Sequence, residues 1–188
     1  MTILEKAIMY ALKAHTGEKR KNSTLPYILH PLEALVTAAS LTDDMEVLAA
    51  VVLHDTVEDT GISLADIERE FGHYVAWLVD CETEDTIEYE TEEITWNIRK
   101  QESIDHLRIA ADKNVSIIWL CDKLSNLRAI RRDYDRLGEN IWNTFHMKDP
   151  ARQAWYYRTI AELLKDDLGQ TDAFLEYVRL LEEVFHSV

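Results

Sequence analysis

The chain has 188 residues, of which 47% are hydrophobic, so it is long enough for one well-buried domain and short for two. Its formal net charge of −15 disfavours nucleic acid or an anionic membrane surface as the main partner, because both would be repelled. The sequence contains no run of about 18 apolar residues, and its two cysteines, Cys81 and Cys121, lack zinc-finger spacing. We therefore expect a soluble, cytoplasmic protein with reduced thiols.

The low content of turn-forming residues predicts an all-α fold. Five glycines and three prolines leave few hairpin signals, and short alternating runs typical of strands are missing from the sequence. We expect a single compact helical domain over residues 1–188.

The first predicted helix runs from Thr2 to His15 and ends near Gly17, which can adopt a left-handed C-cap. A polar loop over residues 18–26 follows and carries three consecutive cations in an otherwise acidic protein. These cations are Lys19, Arg20 and Lys21. Taken alone, such a loop is more often a solvated surface than a binding site.

The next two predicted helices each bring a histidine. Pro31 suits the first position of the second helix, where its missing N–H has no partner, so His30 lies at the helix start. A third helix, capped by Thr42 or Asp43, continues to about Thr60 and contains four polar groups in an apolar stretch. These groups are His54, Asp55, Glu58 and Asp59. On one continuous helix the first would share a face with the third, and the second with the fourth.

The middle of the chain combines a capping signal with an acidic segment. Ser63 and Asp66 predict a capping box, and Gly72 ends that helix before another begins. Residues 82–93 hold seven acids with little apolar periodicity, which predicts an exposed loop. An acidic metal-binding tract is the alternative for this segment.

The later predicted helices include a second apolar segment that carries polar groups. A helix over residues 95–110 is followed by an apolar helix over residues 115–128, on which Asp122 and Asn126 share a face. A short aromatic helix and two closing helices complete residues 139–188. Their aromatic side chains are predicted as core rather than as ligand-stacking groups: Trp155, Tyr156, Tyr157, Phe174, Tyr177 and Phe185.

Two imidazoles and two carboxylates interrupt these helical segments, and burying them without partners would be costly. They are His30, His54, Asp55 and Asp122. A mixed nitrogen and oxygen donor set suits Mn²⁺, Fe²⁺ or Zn²⁺ and leaves positions for water and a phosphate oxygen. Such a site would favour hydrolysis. The alternative for an isolated His-Asp pair is a hydrogen bond between the two side chains alone.

The four residues lie in sequence blocks that resemble the HD superfamily of metal-dependent phosphohydrolases, whose pattern is H…HD…D. The blocks over residues 14–20, 26–31, 53–60 and 122–127 resemble successive motifs of its (p)ppGpp hydrolase branch. The resemblance covers residues 14–127 and implies one HD-domain helical bundle. The chain leaves no room for the synthetase and regulatory domains of long bifunctional members, so it is similar to the small stand-alone alarmone hydrolases of the Mesh1 type.

This resemblance implies a role for each matched residue. The Mn²⁺ ligands would be His30, His54, Asp55 and Asp122. Glu58 and Asp59 would be the catalytic acid/base pair, and Asn126 would position the attacked phosphate or the water. The guanine nucleotide and its phosphates would contact Lys19, Arg20, Lys21, Ser23 and Arg128. The branch releases the 3′-pyrophosphate to give GDP or GTP. A lysine expected where this chain has Thr86 would be one missing phosphate contact.

Two other functions stay open. A different HD nucleotide phosphohydrolase, acting on NADPH or on nucleoside phosphates, could use the same metal site and would release orthophosphate. A catalytically silent nucleotide-binding module is disfavoured, because every proposed ligand is present together with Glu58 and Asp59. We expect a small-molecule guanine nucleotide as the partner, with no nucleic acid and no membrane.

Overall fold

The computed structural model of the protein describes residues 1–84 and 92–186, with the side chains of these residues except those of 92–94. Its α-helices in those ranges are α1 (Ile3–Ala14), α2 (Leu29–Ala38), α3 (Met45–Leu53), α4 (Thr56–Asp59), α5 (Leu64–Phe71), α6 (His73–Asp80), α7 (Glu92–Ala110), α8 (Lys113–Leu137), α9 (Pro150–Leu168) and α10 (Asp172–Val184). A 3-10 helix spans Gly138–Thr144, where a short aromatic helix is predicted. The described ranges contain no strand, which confirms the all-α prediction.

Side-chain caps set the starts of several helices. Thr2 and Glu5 form a capping box at α1, and Ser63 and Asp66 form the predicted one at α5. Asp44 caps α3, because its carboxylate accepts hydrogen bonds from two N–H groups of the first turn. The prediction that placed this cap one or two residues earlier is therefore wrong.

The second helix begins two residues earlier than predicted. Leu29 is its first residue, and Pro31 occupies the third position rather than the first. No intrahelical hydrogen bond is lost there, since the N–H groups of a first helical turn have no partner in the helix. His30 consequently lies within the first turn of α2, where it is buried.

The helix that leads to His54 is shorter than predicted. α3 ends at Leu53, and His54 and Asp55 form a turn before the short helix α4. His54 Nδ1 donates a hydrogen bond to Val51 O at 2.7 Å. Thr56 Oγ1 donates to Leu53 O at 2.6 Å. Side chains that bind nearby carbonyls compete with the helical ladder, so the prediction of one continuous helix is wrong.

The helix α8 is the central element of the fold. It has 25 residues and packs against α2, α3, α9 and α10. Its Trp119 side chain is fully buried. α3 is buried along most of its length and packs against α1, α2 and α6 as well. One hydrophobic core joins these helices, and α3 and α8 lie next to each other in it, as predicted.

The two closing helices cover this core with aromatic side chains. The buried ones are Tyr156, Tyr157, Phe174, Tyr177 and Phe185, which agrees with the prediction. Trp155 is 40% exposed because it lies on the outer face of α9, so its assignment to the core is wrong. Among the described helices, none is both long and apolar enough to cross a membrane.

Candidate active site

Four side chains from three parts of the fold converge on one point. His30 comes from α2 and Asp122 from the middle of α8, while His54 and Asp55 form the turn after α3. His30 Nε2 lies 2.9 Å from Asp122 Oδ1 and 3.3 Å from Asp55 Oδ2. His54 Nε2 lies 3.0 Å from Asp55 Oδ2 and 3.4 Å from Asp122 Oδ1. The structure thus brings together the four predicted metal ligands.

The spacing of these donor atoms fits a divalent metal ion. Two ligand atoms that are each about 2.1 Å from an ion, at right angles to each other, are separated by about 3.0 Å. The two Nε2 atoms of His30 and His54 are 3.2 Å apart, which is in this range. Two imidazoles and two carboxylates are also the donor chemistry of divalent transition metals. These residues could therefore hold a divalent ion.

Hydrogen bonds outside this metal cluster orient both imidazoles. Because His54 Nδ1 donates to Val51 O, the Nε2 atom of the neutral ring carries the lone pair. His30 Nδ1 lies 2.9 Å from Ser125 Oγ, and the Ser125 hydroxyl donates to Glu33 Oε2 at 2.6 Å. Since Glu33 accepts the hydroxyl proton, His30 Nδ1 is the donor to Ser125. The Nε2 atoms of both histidines therefore face the cluster, and each can bind a metal ion when its ring is neutral.

The two carboxylates of the cluster are held in their ionised form. Burial alone would raise the pKa of Asp55, but His54 and His30 hold that pKa well below its usual range. Burial also opposes ionisation of Asp122, and Lys123 with the two histidines holds its pKa well below the usual range. Ionised carboxylates are the form that binds metal ions.

A buried ion pair beside the cluster was not indicated by the sequence pattern. Lys123 Nζ donates to Asp122 Oδ2 at 2.5 Å and to Glu82 Oε1 at 2.8 Å. Glu82 also places an oxygen within 4.8 Å of the ligand atoms of His54 and Asp55. Burial raises the pKa of Glu82 to about 8, against the opposing effect of Lys123. The only signal in the sequence is a lysine next to Asp122 inside an apolar helix.

The prediction of an exposed loop over residues 82–93 is wrong for its first residues, whose side chains are buried or paired. Glu82 is 5% exposed, and the Glu84 carboxylate contacts Arg99 and Lys100 on α7. Acids without apolar periodicity are usually solvated, but these two have distant basic partners that allow burial. Residues 85–91, including Thr86, lie outside the described part of the chain.

Glu58 lies on α4, the short helix that directly follows His54 and Asp55. Its carboxylate accepts a hydrogen bond from the Glu84 N–H at 3.4 Å. Burial, and next the charges of Glu84 and Asp55, raise the pKa of Glu58 to about 7. Burial and then Asp55 also raise the pKa of Asp59, while the Tyr27 hydroxyl opposes the shift. Near neutral pH, Glu58 can therefore accept or release a proton.

A cavity of about 600 Å³ opens beside Glu58. Its polar wall contains Glu58, Asp80, Glu84 and His106. Its apolar wall contains Leu64, Trp77 and Ile109. Three carboxyl groups make this acidic cavity a poor place for a free polyphosphate.

The basic loop reaches the metal cluster through one hydrogen-bonded chain. Arg20 Nη2 donates to Asn126 Oδ1 at 2.5 Å, and Asn126 Nδ2 donates to Asp122 Oδ1 at 2.7 Å. The Arg20 guanidinium lies 5.7 Å from the centre of the Tyr27 ring. The Tyr27 hydroxyl in turn donates to Asp55 Oδ2 at 2.6 Å. Arg20 and Asn126 are thus placed beside the cluster, as the sequence predicts.

The other loop residues predicted to bind substrate make different contacts. Lys21 Nζ is 4.7 Å from the centre of the Phe145 ring. The main chain of Lys19 pairs with Pro26, and Ser23 Oγ accepts a hydrogen bond from the Leu25 N–H at 3.0 Å. Lys19 and Ser23 therefore hold the shape of the loop in this structure.

Arg128 does not join the other predicted substrate-binding residues. Its Nε and Nη2 atoms donate to the two carboxylate oxygens of Glu176 at 2.8 and 2.7 Å. Its Nη1 atom donates to Thr37 Oγ1 at 3.1 Å. These contacts tie α8 to α10 and α2, and the structure does not bring Arg128 together with Arg20 and Asn126 at the metal cluster.

Residues 7–150 match the HD domain family, so the protein belongs to that family. The GTP pyrophosphokinase of Streptomyces coelicolor is 39% identical over 129 residues, which make up 68% of this chain and 15% of that protein. The guanosine-3′,5′-bis(diphosphate) 3′-pyrophosphohydrolase of Aquifex aeolicus is 36% identical over 128 residues, or 68% and 18% of the two chains. The chain thus spans less than a fifth of the length of these relatives.

Two solved structures share the fold. A metazoan ortholog of SpoT, reported to hydrolyse ppGpp, superposes with a TM-score of 0.77 over 97% of this chain and 96% of that chain, at 22% identity. The structure of lmo0812 from Listeria monocytogenes EGD-e gives a TM-score of 0.72 at 30% identity, over 89% and 99% of the two chains. The resemblance to the HD superfamily is confirmed.

Proposed function

We propose that the protein is a Mn²⁺-dependent guanosine-3′,5′-bis(diphosphate) 3′-pyrophosphohydrolase, which converts (p)ppGpp and water into GDP or GTP and pyrophosphate. The observation that carries this proposal is the cluster of buried His30, His54 and Asp122 with half-buried Asp55, in which donor atoms lie 2.9 to 3.4 Å apart. Relatives in Aquifex aeolicus and Vibrio cholerae bear the name of this activity and support it.

The proton-transfer role belongs to Glu58 in this proposal. A divalent ion bound by the cluster would polarise a phosphoryl group and lower the pKa of a water molecule. Glu58, with its pKa raised to about 7, accepts the proton of the attacking water and can later release it to the leaving oxygen. Asp59 is the second member of the acid/base pair, and burial raises its pKa as well.

The substrate is held by the basic loop. The planar Arg20 guanidinium can stack on a purine and still bind a phosphate, which a lysine ammonium does less well. Arg20 donates a hydrogen bond to Asn126, and Asn126 donates to Asp122. This chain holds the guanidinium beside the metal cluster, where it can bind the nucleotide next to the reacting phosphate. Lys21 adds a further positive charge.

A second candidate function is hydrolysis of the terminal 2′-phosphate of a larger nucleotide such as NADPH, which releases orthophosphate and whose second nucleoside is a further organic group to be bound. The cavity of about 600 Å³ favours it, because Trp77, Leu64 and Ile109 line a space beside Glu58 that is large enough for such a group. A ppGpp molecule has no second nucleoside to place in this cavity.

The test is an assay of the Mn²⁺-loaded protein with ppGpp, pppGpp and NADPH that identifies the inorganic product. We expect pyrophosphate from the first two substrates and none from metal-free protein. Orthophosphate from NADPH, with ppGpp untouched, would establish the second candidate instead. Binding of ppGpp without turnover by the Mn²⁺-loaded protein would identify a silent nucleotide-binding module.

A further inference from the structure

A group of cations lines one cavity of about 270 Å³ next to the basic loop. The cations are Arg20, Lys21, Arg132 and Arg136. The wall also contains one acid, Asp133, but this carboxylate already accepts hydrogen bonds from Arg136 Nη2 at 2.8 Å and Asn22 Nδ2 at 3.2 Å. In a chain with a formal net charge of −15, this concentration of positive charge calls for an anionic occupant.

One side of this basic cavity is formed by side chains from one face of the helix α8. Arg132 and Arg136 are four residues apart and therefore lie on the same face of the helix. Ala129 lies one turn before Arg132 on that face and lines the cavity, where its small side chain leaves space. The Arg136 guanidinium is fixed by a hydrogen bond from Nη2 to Asn22 O at 3.0 Å.

Arg132 is an available cation of this group. Its side chain is 63% exposed, and among the described residues Arg132 Nη1 lies 3.4 Å from Glu33 Oε1. That distance is long for a charge-assisted hydrogen bond. Glu33 also accepts the shorter bond from Ser125. An incoming phosphate could therefore recruit Arg132 without breaking a strong contact.

A second cavity joins this cationic region to the metal cluster. It has a volume of about 280 Å³ and is lined by His30 and Glu33 together with Arg20, Arg132 and Leu25. The last three residues line the basic cavity too, so the two spaces share a wall. An extended ligand with one end at His30 can therefore reach Arg132 and Arg136 with the other.

We infer that the cavity formed by Arg20, Arg132 and Arg136 binds the 5′-phosphates of a nucleotide whose 3′-diphosphate lies at the metal cluster. The inference rests on the proposed function, because it assumes a substrate with phosphate groups on both ends of one nucleoside. Arg20 lies between the two phosphate sites, where it contacts the nucleoside. Guanidinium groups suit this task because they bind phosphate oxygens in pairs. Recognition of both ends would favour a doubly phosphorylated nucleotide over one that carries only the 3′-diphosphate.

The test compares two substrates in one double variant. Arg132→Gln with Arg136→Gln removes both charges from α8, and activity is measured with ppGpp and with guanosine 3′-diphosphate, which has a free 5′-hydroxyl. We expect the wild-type protein to prefer ppGpp in kcat/KM by at least about tenfold, or 1.4 kcal/mol. The double variant should lose this preference through a higher KM for ppGpp, with kcat for both substrates unchanged.

Arg69→Gln is the control. The Arg69 side chain is equally exposed at 63% but lies on α5, so this variant should keep the preference for ppGpp.

Binding of GDP provides a measurement that does not depend on hydrolysis. GDP carries only the 5′-phosphates, so its Kd should rise by at least about tenfold in the double variant and stay unchanged in Arg69→Gln. Equal losses for both substrates, or unchanged GDP affinity, would overturn the inference and leave only a general electrostatic effect. If the wild-type protein fails to hydrolyse ppGpp but GDP binding still depends on Arg132 and Arg136, the proposed function fails while the 5′-phosphate site stands.

Discussion

The acidic cavity beside Glu58 and the basic cavity beside Arg20 have opposite charge, although they serve one proposed site. The first contains three carboxyl groups, the second contains four cations, and no lining residue is common to both. The net charge of this chain therefore does not predict the charge of its ligand, because acidic side chains line one cavity and basic side chains line the other. On the acidic side, burial and next the charges of Glu84 and Asp55 raise the pKa of Glu58, while the basic side can hold phosphate groups.

The largest effect is expected on the acidic side. Glu58→Gln removes the proton-transfer group but no metal ligand, so kcat should fall by about 10²–10⁴ while the metal content stays unchanged. Steady-state kinetics and elemental analysis of the same samples measure both quantities. Asp80→Asn, in the wall of the same cavity, is the matched control and should retain most activity. A Glu58→Gln protein with wild-type kcat would show that another group accepts the proton of the attacking water.

The next effect is expected on the basic side. Arg20→Ala removes the guanidinium that is bonded to Asn126, so KM for ppGpp should rise by about tenfold or more, corresponding to roughly 1.4 kcal/mol. A minimal phosphoester without a base should be affected less. Arg20→Lys keeps the charge but loses the planar group, and it should recover only part of the affinity. Equal weakening of ppGpp and the minimal phosphoester would contradict base stacking by Arg20.

A smaller effect is expected from Lys21, which contributes charge without the planar group of Arg20. Lys21→Ala should raise KM for ppGpp by a few fold, and the difference from the wild type should shrink at high salt because a point charge is screened. KM measured at low and at high ionic strength provides the check. A loss that does not depend on salt would indicate a packing role against Phe145 instead.

The smallest effect concerns the stability of the metal-free protein. The pKa of Glu58 is raised in the fold to about 7, so the stabilisation by its protonated form is present below about pH 4.5 and is lost as the pH rises through about 7. Glu58→Gln cannot ionise and should be more stable than the wild type at pH 8, with little difference at pH 4.5. Thermal unfolding at the two pH values measures this. An equal change in Tm at both would contradict the raised pKa.

The family and the residues of the metal cluster could be predicted because they depend on short motifs within apolar segments. His30, His54, Asp55 and Asp122 all lie where an unpaired polar group would be costly, and the structure brings them to one point. Their role as metal ligands stays a prediction. The end of α3 at Leu53 could not be predicted, because apolar periodicity favours a continuous helix while local side-chain hydrogen bonds interrupt it.

The contacts that the sequence did not indicate depend on partners far apart in the chain. Glu82 is predicted as exposed because its neighbours are acidic, yet Lys123, 41 residues later, allows its burial. Arg128 is predicted as a substrate contact because it follows the motif over residues 122–127. In the structure its guanidinium donates hydrogen bonds to Glu176, 48 residues later. Local pattern cannot reveal which distant charge faces a residue, so long-range ion pairs require the fold.

The most direct test is a titration of metal-free protein with Mn²⁺ by isothermal calorimetry, which asks whether the cluster holds one ion. We expect one ion per chain in the wild type and in Glu58→Gln, and loss of this binding in Asp122→Ala. Asp122 supplies a donor atom 2.9 Å from His30 Nε2, whereas Glu58 lies outside the cluster. Unchanged Mn²⁺ affinity in Asp122→Ala, or equal loss of affinity in both variants, would contradict the proposed metal site.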